Sequence, residues 1–117
     1  MIYAVDFDGT LCIDQYPQIG EPRPSVIAFV KAERARGAKL ILWTCRCGAD
    51  LSAALEWCAE RGLTFDAVNE NLPEHIAKYN NDCRKVYADR YIDDRSIFID
   101  LPNSYINLER VTVDGQT

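Results

Sequence analysis

The sequence predicts a Rossmann-like α/β fold: a doubly wound, mainly parallel sheet of about four or five strands with helices on both faces and no cap domain. Three observations point to it. Short apolar runs alternate along the chain with segments of helical period. One run, KLILWT (39–44), is apolar almost without a break, as strands covered on both faces are. Two junctions, ARGAKLILW and ERGLTFDAV, repeat one form in which a helix ends at Arg-Gly and a strand follows, giving a β-α-β-α-β order.

The elements follow in order. IYAVDF (2–7) is a short run rich in β-formers and predicts the first strand. Residues 8–23 carry Gly9, Pro17, Gly20 and Pro22 without a regular period and predict a loop, with 11–23 as a short flap. SVIAFVKAERARG (25–37) predicts a helix with Ser25 as N-cap and Gly37 as its stop. After the strand at 39–44, DLSAALEWCAERG (50–62) predicts a second helix. Asp50 would be its N-cap, Leu51, Ala54, Leu55 and Cys58 its apolar stripe, and Gly62 its stop. LTFDAVN (63–69) gives a third strand, 73–80 a short helix opened by Pro73, and VYADRYI (86–92) a fourth strand. The tail, 96–117, offers only the apolar pieces IFI, YIN and VTV. No linker divides the chain, so residues 1–117 are read as one domain.

Composition narrows the function classes. The chain has 117 residues, 48% hydrophobic and 26% charged, an ordinary globular balance. Its net charge of −5 argues against a nucleic-acid partner. No apolar stretch approaches a membrane span, and MIYAVDFDG has no basic segment leading a long apolar run. Five cysteines at irregular spacing do not make a disulfide framework; they read as reduced thiols in a cytoplasmic protein. Cys45 and Cys47, with His75 as the sole imidazole, make a poor zinc set.

The chemistry gathers at strand ends. In open α/β sheets ligands bind outside the carboxyl ends of the strands. Asp6, Asp8 and Thr10 end the first strand, Thr44 the second, and Asp93 and Asp94 the fourth, with Lys85 just before it. In a parallel sheet all of these meet on one edge. Three or four carboxylates at one point repel each other unless a cation compensates them. A hard divalent ion such as magnesium takes oxygen ligands and leaves positions for phosphate oxygens.

DFDGTL (6–11), the strand-ending Thr44 in LILWTCR, and Lys85 with YIDDR (91–95) resemble, in order, the four motifs of the haloacid dehalogenase superfamily, above all its small capless phosphatase-like members. The likeness covers residues 1–95 in outline. It implies phosphoryl transfer through an aspartyl-phosphate: Asp6 as nucleophile, Asp8 as general acid and base, Thr44 as a hydroxyl donor to phosphate, and Lys85 neutralising its charge. Asp6, the backbone carbonyl of Asp8 and Asp93 would hold Mg2+, with Asp94 behind them or bound through a water. Thr10 and Arg46 are candidates for binding substrate.

Each residue has a plainer rival. Thr44 is placed to cap a turn, Lys78 competes with Lys85, Asp94 is placed to pair with Arg95 or Arg90, and Arg46 to be solvated. Asn69 and Asn71 follow the third strand on the same edge, as substrate contacts or as ordinary loop residues. His75 reads as an ordinary helix residue. Only 35 residues separate Asp8 from Thr44 and 40 separate Thr44 from Lys85, too few for a cap domain. An open site suits a large phosphorylated substrate, or a homo-oligomer whose neighbouring subunit covers it. The leading expectation is a magnesium-dependent phosphatase of phosphomonoesters. Two alternatives stand beside it: a receiver-like phosphoacceptor domain, whose acceptor would lie near Asp66, and a non-catalytic scaffold with the same fold.

Overall fold

The central strand β1, Ile2–Val5, is flanked on both sides by parallel neighbours, and this fixes where the site lies. A computed structural model of the chain describes residues 1–99 and 111–113. After β1 come β2 (Cys12–Gln15), β3 (Gln18–Pro22), α1 (Pro24–Ala35), β4 (Lys39–Leu42), α2 (Gly48–Glu60), β5 (Ala67–Val68), α3 (Pro73–Tyr79), β6 (Arg90–Ile92), β7 (Ile97–Ile99) and β8 (Val111–Val113). The four-stranded parallel sheet has the order β5-β4-β1-β6. Its register pairs Val5 with Leu42 on one side and with Ile92 on the other. The α/β class and mainly parallel sheet agree with the sequence reading.

The period of two along the strands divides the core into two layers. Tyr3, Val5, Phe7, Leu40 and Leu42 face one way and pack with Ile27 and Val30 of α1 and Ala54 and Cys58 of α2. Ala4 and Ile41 face the other way and pack with Ala67, Leu72 and Val86. Each strand of the centre is therefore covered twice, which is why its sequence is apolar without alternation. Truncating a fully buried member such as Leu42 to alanine costs about 2–5 kcal/mol. The second layer is closed mainly by Leu72 and Val86, since α3 buries none of its own residues.

Several local expectations shift. α1 starts two residues earlier than the Ser25 cap predicts, with Arg23 at the cap and Pro24 in its first turn, where a missing N–H leaves nothing unsatisfied. α2 starts at Gly48 after Cys47, and Asp50 sits within its first turn, where a carboxylate complements the helix dipole. Its end is as the sequence predicts. Gly62 takes a left-handed φ of 78°, and the Gly62 and Leu63 N–H groups return to the carbonyls of Ala59 and Cys58 at 3.0 and 2.9 Å.

The stretch 8–23, expected as a loop, contains the antiparallel hairpin β2–β3, with an irregular register between Cys12 and Asp14. Its strands are short and mostly exposed, so no apolar alternation marks them. The strand expected at 86–92 pairs only over 90–92. The IFI and VTV pieces pair with each other as β7 and β8 rather than extending the main sheet. The YIN piece at 105–107 lies outside the described residues. Among the described residues no helix is long and apolar enough to cross a membrane.

Candidate functional site

The strand order reverses at β1: chain order runs away through β4 and β5, then returns to the opposite side at β6. A crevice opens at such a switch point, at the carboxyl ends of the two strands that diverge. Asp6 follows β1 directly, and its N–H donates to the Ile92 carbonyl at 2.9 Å. Asp93 and Asp94 follow β6 directly. The ladder thus brings residues 87 positions apart to one point, and carboxylate oxygens of Asp6, Asp93 and Asp94 lie within 4.8 Å of one another.

Asp6 is half-buried and accepts a hydrogen bond from the Thr10 hydroxyl at 3.0 Å. Its carboxyl is nevertheless pushed up from 3.8 to about 6. Burial is the main cause, and repulsion from Asp93 and Asp94 adds to it, against the opposing pull of Thr10. Thr10, a substrate candidate by sequence, is buried and turned toward Asp6. Gly9 has a φ of 89°, and a Cβ built on it would come within 2.3 Å of the Asp94 Oδ2. The glycine of DFDGT therefore serves the turn and also leaves room for the third carboxylate.

Asp8 is not in that cluster. Its two oxygens are held by Arg46 Nε and Nη2 at 2.7 and 2.8 Å. Arg46, also a substrate candidate by sequence, borders the cleft but is 2% exposed, and its donors are met by Asp8 and backbone carbonyls rather than left to solvent. The Thr44 hydroxyl accepts from the Arg46 backbone N–H at 3.1 Å, and the Thr44 N–H donates to Asn69 Oδ1 at 2.8 Å. Asn69 thus orients Thr44. Asn71 is structural: its side chain donates to Asp82 Oδ1 and the Cys83 carbonyl and accepts from the Tyr87 N–H.

A cleft of about 490 Å³ joins these groups, bounded by Asp6, Asp8, Thr44, Asp93 and Asp94, with Tyr16 of the hairpin turn at its rim. A second lobe of about 380 Å³ shares Asp6, Thr44 and Asp93 and adds Trp43, Asn69 and Arg84. Lys85 does not line either lobe. It faces a separate hollow with His75 and Tyr87, while its neighbour Arg84 lines the Asp6 lobe. Arg84 thus stands where a lysine is expected, and the adjacent basic pair RK at 84–85 is the signal for it in the sequence.

The three clustered donors are all carboxylate oxygens, with no nitrogen or sulfur among them. That set fits a hard divalent cation, which would relieve the crowding that lifts Asp6. Asp66, the acid that a receiver-like reading needs, precedes β5 and so lies at the other end of the sheet. Arg34 holds it at 2.8 and 3.3 Å and the Leu40 N–H at 2.8 Å, and the Arg34 contact keeps its carboxyl below the usual range.

Fold and site together define an α/β protein with an acidic, oxygen-donor crevice at the switch point of a parallel sheet. A solved structure of a conserved protein from Bacteroides thetaiotaomicron matches this chain at 44% identity and a TM-score of 0.74, covering 82% of this chain and 77% of that one. The chain belongs to the same family as that Bacteroides protein. No family model and no curated protein matches it.

Proposed function

We propose that the chain is a magnesium-dependent phosphatase of the haloacid dehalogenase type, hydrolysing phosphomonoesters through an aspartyl-phosphate on Asp6. The observation that carries this reading is the convergence of Asp6, Asp93 and Asp94 at the switch point, with Asp6 lifted by burial and crowding. Asp6, Asp93 and the Asp8 carbonyl, with Asp94 beside them, would hold Mg2+, and that ion would supply the positive charge that an anionic carboxylate needs to approach a phosphate dianion.

The chain's own groups do the rest. The Asp6 carboxylate attacks phosphorus, and the bond to the ester oxygen breaks as Asp8 gives that oxygen a proton. An alcohol leaves and Asp6 carries the phosphoryl group. Asp8, now a carboxylate, takes a proton from water, and the hydroxide formed attacks the same phosphorus. Inorganic phosphate departs and Asp6 is restored. The Thr44 hydroxyl donates to a phosphate oxygen, while Arg84 offers a cation on the second lobe. Five free thiols fit a cytoplasmic location.

The test is a panel of phosphate esters assayed with and without Mg2+, for the wild type and Asp6→Asn. Metal-dependent phosphate release that disappears in Asp6→Asn supports the reading. Intact folding with no release from any ester, or release undiminished in Asp6→Asn, overturns it.

A further inference from the structure

Arg46 is buried and yet satisfied in every donor. Its Nε and Nη2 donate to the two oxygens of Asp8. Nη2 also donates to the Gln18 carbonyl at 3.1 Å. Nη1 reaches the carbonyls of Pro17 at 3.2 Å and Asp50 at 3.4 Å. A guanidinium carries five N–H donors, and five acceptor contacts meet it. The rings of Phe7 and Tyr16 lie over it at 5.2 and 5.0 Å, and the Tyr16 hydroxyl donates to Asp50 at 3.2 Å.

One cation therefore joins the turn after β1, the turn of the β2–β3 hairpin and the first turn of α2. A buried charge tolerates no loss of partners. Asp8 cannot leave its place without stranding Arg46, and the hairpin turn cannot lift without taking two carbonyls with it. We propose that Arg46 is a positioning residue that ties the Asp8 carboxylate to the hairpin turn at residues 16–18, so that the acid–base group stands at the leaving oxygen only while that turn is seated. The catalytic half of this proposal rests on the phosphatase reading; the mechanical half does not.

The experiment has two arms. In the first, single-turnover release of the leaving group is measured for an alkyl phosphate, whose alkoxide needs a proton, and for nitrophenyl phosphate, whose phenolate leaves without one. Arg46→Lys keeps the charge and loses the fork. It slows alcohol release about 10²- to 10⁴-fold, the range of a lost general acid, and slows nitrophenol release less than about 10-fold. Asp8→Asn gives the same profile. Equal slowing of both substrates, or of neither, overturns the assignment.

In the second arm, hydrogen–deuterium exchange is followed at the amides of residues 14–20. Exchange quickens in Asp8→Ala relative to the wild type and to Asp6→Asn, because Arg46 loses the partner that seats the turn. Unchanged exchange overturns the coupling. If the wild type releases neither alcohol nor nitrophenol, the phosphatase reading fails, and this arm alone decides the tie between Asp8 and the hairpin. It also decides if Arg46→Lys does not fold.

Discussion

Asp6 and Asp8 stand two residues apart in sequence and in opposite electrostatic surroundings. Asp8 faces a guanidinium that takes both its oxygens, and the hydrogen bonds that Arg46 donates to Asp8 are the main reason that Arg46 is held above its ordinary value. Asp6 faces two further carboxylates, against which the Thr10 hydroxyl and the Phe7 backbone N–H support it without offsetting its burial. The first arrangement is complete without any ligand, so its energy goes into holding three segments together. The second is incomplete among the described residues, so its charge is left uncompensated by the fold. A charged residue in a cleft is informative chiefly through what remains unpaired.

The sharpest way to break this contrast is Asp6→Asn. Hydrolysis falls by at least about 10³-fold, as expected for loss of a nucleophile. The same change raises the stability of the metal-free protein, because it removes a destabilised charge. A variant that lost activity and stability together would mean that the Asp6 charge is compensated within the fold, as that of Asp8 is by Arg46.

The pH dependence follows from the same carboxyl. Between 3.8 and about 6 the folded chain keeps a proton on Asp6 that the unfolded chain has released. The Asp6 contribution to stability therefore falls as pH rises through that window and is flat above it. Its size is well under the ~3 kcal/mol of the full shift, because solvent screens a half-buried carboxyl, and Asp6→Asn removes it. Urea unfolding in EDTA across that range measures it. Bound Mg2+ reverses the loss: at about 100 times its dissociation constant it adds about 2.7 kcal/mol, a rise of several degrees in Tm. Asp93→Asn abolishes that rise in calorimetry.

Gly9→Ala tests the space given to the third carboxylate. It costs about 1–3 kcal/mol, because its φ is left-handed and its Cβ meets Asp94. It also weakens Mg2+ binding by titration calorimetry. The smallest expected effect separates the neighbouring cations. Arg84→Ala lowers kcat/KM about 10-fold and Lys85→Ala less, about 1.4 kcal/mol dividing the loss of Arg84 from no loss at all. The reverse order would mean that substrate turns the 84–85 segment to bring Lys85 into the lobe.

How much of this was legible depends on the range of the physics involved. The parallel core could be read because burial on both faces leaves its mark within each strand, as in KLILWT. The acids could be placed because each follows an apolar run directly: DFD after IYAV, and DD after RYI. The hairpin at 12–22 was missed because its exposed strands carry no such mark. Lys85 and Arg84 could not be told apart because adjacent residues in an irregular segment point according to what packs around them.

The chain's local pattern alone thus determined the α/β class, the helix stops and the set of acids at the strand ends, since period, burial and turn chemistry act over a few residues. Tertiary structure alone decided that β6 lies beside β1, that Asp94 joins Asp6 and Asp93, and that Asp8 belongs to Arg46. Those pairings span 38 residues or more, and only the order and register of the strands bring such distant side chains into one low-dielectric crevice, where a few ångströms decide which charge is neutralised and which is left to act.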